Sequence, residues 1–123
     1  MRELTGHRVN PANDRIKITV GDERGAGGAN HVYFAEWSND TFAETSGLRL
    51  AFQNGPINEN GVNGITQEVL LEIVADRLRS FQAGPYASRH NALALTKIEE
   101  AQHWLHARTL ERVQRGVEGT SQK

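Results

Sequence analysis

Two parts of this sequence hold residues whose types and spacing could do chemistry. The first is the stretch ERGAGGANHVY, residues 23–33, with glycines at positions 25, 27 and 28. Glycine-rich loops let a backbone approach a phosphate closely. The second is a row of Lys97, Trp104, Arg108 and Arg115, whose cations can neutralise phosphates while the indole offers a surface for a base. Both patterns point to a nucleotide-like anion.

The glycine stretch does not match a known catalytic nucleotide fold. It lies between two predicted strands, whereas a dinucleotide fingerprint needs a strand, Gly-x-Gly-x-x-Gly and then a helix. No Gly-Lys-Ser/Thr follows, so a P-loop is excluded too. Two interpretations stay open: a plain hairpin connection, or a lid that contacts a ligand.

The cationic row lies on a predicted helix. At roughly 100° per residue, Lys97, Trp104, Arg108 and Arg115 share one narrow stripe, with Arg112 at its edge. The stripe could bind a nucleotide, or it could be a solvated basic face paired with neighbouring acids. Trp104 favours the first interpretation, because an indole off the core face needs burial against the strand half or another subunit.

Arg77 is a second anomaly, because it projects from the middle of an apolar arc. Such a charge is costly unless it is paired. It could form a salt bridge to Glu99 or Glu100, or it could be held at a subunit interface for an anionic ligand. The arc is wider than one partner helix would cover, so we expect a homo-oligomer. The apolar arc consists of Val69, Leu70, Ile73, Val74, Leu78 and Phe81.

Catalytic and metal-binding patterns are weak in this chain. Glu100 and His103 match one Glu-x-x-His motif, but di-iron bundles need two such motifs and two more glutamates. His103 and His106 could join Glu99 around a metal, yet no fourth ligand is evident. No hydrolase nucleophile motif occurs. We therefore predict no catalytic residue, no metal and no cofactor: a protein that binds an anion without attacking it.

The elements that must position these residues change character near residue 65. Before it, apolar residues alternate over 16–20 and 48–53, and 31–37 is apolar on both faces, which predicts strands. After it, Thr66 caps a helix to about Gln82, and Ser88 caps a longer helix that stops at Gly116. The expected core face of the longer helix holds Ala94, Leu95, Ile98, Ala101, Leu105, Thr109 and Val113.

The predicted fold class is therefore α+β. A small antiparallel sheet over residues 1–64 precedes an antiparallel helical hairpin over 65–116, and a flexible tail over 117–123 has little to bury. The three parts should form one compact domain, since 123 residues suffice for one core.

Composition narrows the partners. Fourteen Lys plus Arg against fifteen Asp plus Glu leave a net charge of −1, so no overall field favours DNA or membranes. The sequence contains no cysteine and no apolar run of membrane-spanning length. We expect a soluble, intracellular protein that binds neither DNA nor membrane.

Several longer motifs resemble the bacteriophage Thoeris anti-defence proteins of the first type. They are NPAND (10–14), GAGGANHVY (25–33), NGVNGIT (60–66), DRLRSFQAGP (76–85), NALALTKIEEAQHWL (91–105) and RGVEGT (115–120). The helical half is also similar to the small phage anti-CBASS sponges, which bind cyclic oligonucleotides. The resemblance spans nearly the whole chain.

The resemblance implies a non-enzymatic sponge. Such proteins bind cyclic ADP-ribose isomers made by TIR-domain enzymes, and some also bind cyclic di- or trinucleotides. They form dimers, or hexamers built from dimers, with pockets at subunit boundaries. By the same resemblance Phe81 would stack on a base, Asn91 would hydrogen-bond the ligand and Arg108 would meet phosphate. Two rivals remain: an enzyme that hydrolyses the same messengers, and a structural or protein-binding module.

Overall fold

The chain forms two compact units. The structure is a computed structural model that describes residues 1–41 and 44–123. Met1–Ile65 make up the first unit and Thr66–Lys123 the second. The boundary falls where the residue pattern changes from a period of two to helical spacing.

The first unit is a four-stranded antiparallel sheet, as predicted. Its strands are β1 (Arg2–Leu4), β2 (Lys17–Val20), β3 (Val32–Asn39) and β4 (Glu44–Ala51), and they pair in sequence order. Strand β1 was not predicted, because three residues are too few for an alternating pattern to show. A one-turn helix, α1 (Pro11–Asp14), separates β1 from β2 and is capped by the side chain of Asn10.

One face of the sheet carries a cluster of apolar and aromatic residues. The register places Val20 opposite Tyr33, and Tyr33 opposite Leu50, so these three side chains share that face. Val20 is fully buried, and the ring of Tyr33 meets the ring of Phe52 edge to face at 5.7 Å between centroids. After the short helix α2 (Ile57–Asn60), Ile65 returns beside Phe52 in a parallel bridge.

The glycine stretch is an ordered connection between β2 and β3. Its turn over residues 26–28 has positive φ at Gly27 (71°) and Gly28 (78°), a conformation that favours glycine. The Asp22 carboxylate accepts hydrogen bonds from the backbone N–H groups of His31 and Val32, and Nε2 of His31 lies 2.9 Å from the carbonyl oxygen of Ala26. The backbone conformation alone therefore accounts for Gly27 and Gly28.

The second unit is an antiparallel pair of helices, α3 (Gln67–Gln82) and α4 (Arg89–Gln114). Both predicted N-caps are confirmed: Thr66 Oγ1 accepts from the N–H of Val69, and Ser88 Oγ accepts from the N–H of Asn91. Among the described residues no helix combines the length and the apolar composition that crossing a membrane would require.

Helix α4 ends in a Schellman motif. Gly116 has φ of 73°, its N–H donates to the carbonyl of Val113, and the N–H of Val117 donates to that of Arg112. The predicted stop at Gly116 is confirmed.

The buried line of α4 differs from the predicted one. Leu95, Ile98, Ala101, Leu105 and Thr109 are half-buried as expected, but Ala94 is exposed. Val113 is 56% exposed. The inner line instead runs through Asn91, Leu95, Ile98, Gln102, Leu105, Thr109 and Arg112. This alternation of three and four residues averages 3.5 and keeps one seam against a neighbouring helix, whereas the predicted line drifted off it.

The segment after α4 contains a buried residue and is held by contacts with α4. Val117 is buried, and Arg112 holds the turn through its guanidinium. The prediction that residues 117–123 have little to bury is therefore wrong for Val117. No pattern in the sequence indicated this contact, because it depends on a charged residue turning toward the tail.

Candidate ligand-binding side of the helical hairpin

Hydrogen bonds between the two helices define one side of the hairpin. Arg79 Nη2 donates to Glu99 Oε2 at 3.3 Å, and Gln102 Nε2 donates to Glu72 Oε2 at 2.8 Å. Arg79 also reaches Glu72, and both carboxylates raise the pKa of its guanidinium, Glu99 the more. We call this the carboxylate side. It contains an open cavity of 590 Å³ lined by Glu68, Glu72, Glu99, Gln102, His103, Leu105, His106 and Thr109.

The opposite side carries the predicted site residues. On the α3 wheel, Arg77 and Phe81 fall on the other side of buried Ala75 from Glu72 and Arg79. On the α4 wheel, the predicted basic stripe falls on the other side of the inner line from Glu99, His103 and His106. We call this surface the ring-and-cation side, comprising Arg77, Phe81, Lys97, Trp104, Arg108 and Arg115.

Phe81 and Arg77 are in direct contact. The guanidinium carbon of Arg77 lies 5.0 Å from the centroid of the Phe81 ring, which is a cation–π arrangement. The Phe81 residue is 36% exposed. The salt bridge to Glu99 or Glu100 that the sequence allowed for Arg77 is not formed; Arg79, two residues later, reaches Glu99 instead. Arg79 was missed, although its spacing of seven from Glu72 places both on one face.

Two cations of the stripe are paired with carboxylates. Lys97 Nζ lies 3.6 Å from Glu100 Oε2, and Arg115 Nε lies 2.7 Å from Glu111 Oε1. Both pairs are exposed and lie within one turn of α4, as the alternative interpretation of a solvated basic face predicted. These two cations are therefore partly neutralised before any ligand arrives.

Arg112 is not at the edge of the stripe but inside the fold. It is 9% exposed, and its guanidinium contacts Glu118 and the carbonyls of Val117 and Thr120. The wheel misplaced it because the buried seam follows the line through Leu105 and Thr109.

Arg108 and Trp104 remain open on the ring-and-cation side. Within residues 1–41 and 44–123, neither Arg77 nor Arg108 forms an ion pair with a carboxylate. Trp104 is 69% exposed, and its ring meets that of His103 edge to face at 5.3 Å. An exposed indole beside an arginine that no carboxylate neutralises suits stacking next to an anion.

Asn91 is set at the start of α4 by its neighbours. Its backbone N–H donates to Ser88 Oγ at 3.1 Å, and the N–H of Ser88 donates to Gln82 Oε1 at 3.0 Å. The Asn91 residue is half-buried. The link between the helices therefore fixes the backbone of Asn91 close to the end of α3, where Phe81 lies.

The predicted residues occupy two ends of the hairpin. Phe81 and Asn91 lie beside the link, whereas Arg108 lies about 25 Å further along α4 at ~1.5 Å per residue. Trp104 and Arg115 share the distant end with Arg108. The structure brings Phe81 and Arg77 together, but one chain does not bring Phe81 and Arg108 together.

The functional groups of the hairpin are aromatic rings, cations and paired carboxylates. Among the described residues no three His, Asp or Glu side chains converge as a metal site would need. Two of the three carboxylates that line the cavity, those of Glu72 and Glu99, are engaged by Arg79 and Gln102. What the ring-and-cation side can do chemically is stack an aromatic base and neutralise phosphate.

Comparison with known proteins agrees with this hairpin. The family model "Acb2/Tad1, hairpin domain" matches residues 47–110, which is more than half of the chain. The protein "Thoeris anti-defense 1" of Bacillus phage SBSphiJ7 is 53% identical over 72 residues, covering 58% of this chain and 51% of the relative. The chain thus spans about half the length of that relative. The resemblance inferred from the sequence motifs is confirmed: the chain belongs to the Acb2/Tad1 hairpin-domain family.

Proposed function

We propose that this protein is a non-enzymatic phage sponge that counters Thoeris defence by sequestering cyclic ADP-ribose isomers, with cyclic di- and trinucleotides as a second ligand class. The observation that carries the proposal is the ring-and-cation side. There the Phe81 ring lies under Arg77, and Trp104 lies near Arg108, a cation that no described carboxylate neutralises. The name of the phage relative supports the anti-defence role.

A cyclic ADP-ribose isomer matches the chemistry of this surface. It presents one adenine, two riboses and one pyrophosphate. A binding site for it therefore needs an aromatic side chain, hydrogen-bonding amides and one or two cations. Phe81 would stack on the base and Asn91 would hydrogen-bond the ligand. Arg77 and Arg108 would meet phosphate, and Trp104 would offer a second stacking surface. Lys97 and Arg115 would contribute less, because carboxylates already share their charge.

The separation of the two ends supports an assembled site. A cyclic ADP-ribose isomer is much shorter than the span of about 25 Å between Asn91 and Arg108. If both residues contact one ligand, they come from different copies of the chain. The exposed apolar residues of α3, among them Ile73 and Val74, are candidates for burial between those copies. We therefore include a homo-oligomer in the proposal, either a dimer or a hexamer built from dimers.

Sequestration needs affinity and copy number but no turnover. A site with a nanomolar Kd provides about 12 kcal/mol, and each site then removes one messenger. A preformed pocket with stacked and hydrogen-bonded ligand is a reasonable source of that free energy. The host cytoplasm, where the messenger is made, is the proposed place of action.

The decisive experiment compares the compound added to the protein with the compound that the protein releases on unfolding. The protein is incubated with a cyclic ADP-ribose isomer, washed, and heated until it unfolds, and the released compound is identified by mass spectrometry. A sponge returns the intact isomer at one equivalent per site, whereas the rival hydrolase returns linear fragments. A thermal-shift screen tests the other rival, because ligand at 100 times its Kd adds about 2.7 kcal/mol to stability. If none of the cyclic nucleotides raises the unfolding temperature, the protein is a structural or protein-binding module.

A further inference from the structure

Three Asn-Gly dipeptides lie in the connection from β4 to α3. They are Asn54-Gly55, Asn60-Gly61 and Asn63-Gly64. Asparagine followed by glycine is the pair most prone to deamidate, because glycine leaves its own backbone nitrogen unhindered and free to change φ and ψ. The proposed ligand contacts on the helical hairpin do not involve these residues.

Deamidation begins when the backbone nitrogen of the glycine attacks Cγ of the asparagine side chain. A new C–N bond forms as that nitrogen gives up its proton, and the bond from Cγ to the side-chain nitrogen breaks, so that ammonia leaves and a cyclic succinimide remains. Water then opens the ring at either carbonyl and leaves aspartate or isoaspartate. The reaction therefore needs a side chain that is free to turn and a glycine nitrogen that no hydrogen bond holds away from it.

Asn63 is held at both ends of its side-chain amide. Its Oδ1 accepts from the N–H of Asn54 at 2.8 Å, and its Nδ2 donates to the carbonyl of Asn54 at 2.8 Å. Gly64 lies so close to the backbone of Phe52 that even a Cβ atom would collide with it. Turning the Asn63 side chain toward the nitrogen of Gly64 therefore breaks two hydrogen bonds where the backbone has no room to shift.

Asn60 is protected at the attacking nitrogen instead. It is the last residue of α2, and the N–H of Gly61 donates to the carbonyl of Ile57 at 2.9 Å. The N–H of Asn60 itself donates to the carbonyl of Pro56 at 2.8 Å. The helical turn must open before the Gly61 nitrogen can reach Cγ of Asn60.

Asn54 is the least restrained of the three asparagines. It is exposed, and its Oδ1 accepts one long hydrogen bond, from the N–H of Ala26 at 3.3 Å. Across residues 1–41 and 44–123, neither Nδ2 of Asn54 nor the N–H of Gly55 has a hydrogen-bond partner. Asn63 binds only the backbone of Asn54 and leaves its side chain free. Both reacting groups are therefore available at this pair.

We propose that Asn54 is a site of spontaneous deamidation and that the fold protects the other two Asn-Gly pairs. The product adds a carboxylate beside the glycine stretch, whose Ala26 N–H contacts Asn54. Isoaspartate also routes the chain through the side-chain carbon, which displaces the carbonyl that Asn63 Nδ2 holds. The modification thus loosens the pairing of Asn54 with Asn63. Nothing in this chemistry depends on the proposed function.

The test follows each pair in the full chain. Folded protein and protein in urea are incubated in parallel at mildly alkaline pH and digested with trypsin. Tandem mass spectrometry then locates deamidation within residues 50–77, the tryptic peptide that holds all three pairs. Relative to its own rate in urea, folding should slow Asn60 and Asn63 by about 5- to 150-fold, the effect of two hydrogen bonds, and Asn54 by less than about tenfold.

Two controls assign the product. Asn58 lies in the same peptide but is followed by Glu59, so it should stay unmodified. Asn54→Gln keeps an amide on a longer side chain, which closes a ring far more slowly, and should remove the earliest product. If this variant does not fold by circular dichroism, the rates of the unsubstituted chain carry the test.

Two results would overturn the inference. One is deamidation of Asn60 or Asn63 before Asn54 in the folded chain. The other is equal slowing of all three pairs, which would mean that the fold does not distinguish among them. Freshly prepared protein still binds or fails to bind a cyclic ADP-ribose isomer in either case, so the proposed function is judged separately.

Discussion

Replacing Phe81 by leucine should abolish most ligand binding while leaving the hairpin intact. The ring is the proposed stacking surface, and Arg77 covers part of it at 5.0 Å. Stacking of a base on an aromatic side chain is worth about 1–3 kcal/mol by substitution. Affinity for the best-binding cyclic ADP-ribose isomer should therefore fall by about 5- to 160-fold.

The cost to folding should be much smaller than the cost to binding. More than a third of the Phe81 residue is exposed, so leucine, which is also apolar, retains part of its packing. The lost cation–π contact with Arg77 contributes about 0.5–1 kcal/mol at an exposed site. The free energy of unfolding should thus drop by about 1 kcal/mol, within reach of urea denaturation.

Titration calorimetry measures the affinity, and size-exclusion chromatography with light scattering verifies that the oligomer is unchanged. Phe81→Tyr is the matched control, because it keeps an aromatic face and should bind as the wild type does. Wild-type affinity in Phe81→Leu, with Phe81→Tyr also unchanged, would refute the stacking role. Dissociation of the oligomer in Phe81→Leu would instead assign the ring to subunit contacts.

Other perturbations test the contacts that hold the site. Ser88→Ala removes the N-cap of α4 and should cost about 1 kcal/mol in urea unfolding; Thr66→Ala should cost less, because its bond to Val69 is longer at 3.4 Å. Gly116→Ala places a side chain at φ of 73° and should destabilise the chain by about 1 kcal/mol, whereas Gly84→Ala in the link is the control, since Gly84 has no positive φ. Burial works to raise the pKa of Asp22, but hydrogen bonds from His31 and Val32 outweigh it and hold the pKa below the usual value of about 3.9. The ionised carboxylate therefore stabilises the folded glycine stretch above pH ~4, and the stabilisation is lost as pH falls through the lowered pKa. Protection of the His31 and Val32 amides should decline over that range in hydrogen exchange and should already be lost at neutral pH in Asp22→Ala, which has no acceptor oxygen. Unchanged protection at low pH would contradict the assignment.

Local signals in the sequence predicted most of the fold. Alternation identified β2 and β4, and a run that is apolar on both faces identified β3. Thr66, Ser88 and Gly116 marked the helix ends, because capping and left-handed termination depend on residues within one turn. The short elements β1, α1 and α2 were not predicted, because three or four residues do not establish a period. The motifs also sufficed to recognise the family.

The candidate site was harder to predict because helical spacing allows several charge pairings and does not say which of them form. The wheel placed Lys97, Trp104, Arg108 and Arg115 together. It could not show that two of these cations form salt bridges with Glu100 and Glu111. It also assigned Arg112 to the surface. Helical spacing does not distinguish an available cation from a neutralised one, because that distinction depends on side-chain geometry.

Propensity and spacing along the chain were sufficient to predict the order of the longer elements, the helix ends and the supply of rings and cations. Which of the charges are free depends on the folded chain. Arg79 rather than Arg77 pairs with Glu99, and Arg77 rests on Phe81. Arg112 turns into the C-terminal turn. Each choice reflects the free energy of pairing a charge with whatever the fold brings within hydrogen-bond distance, and only the folded chain defines that neighbour.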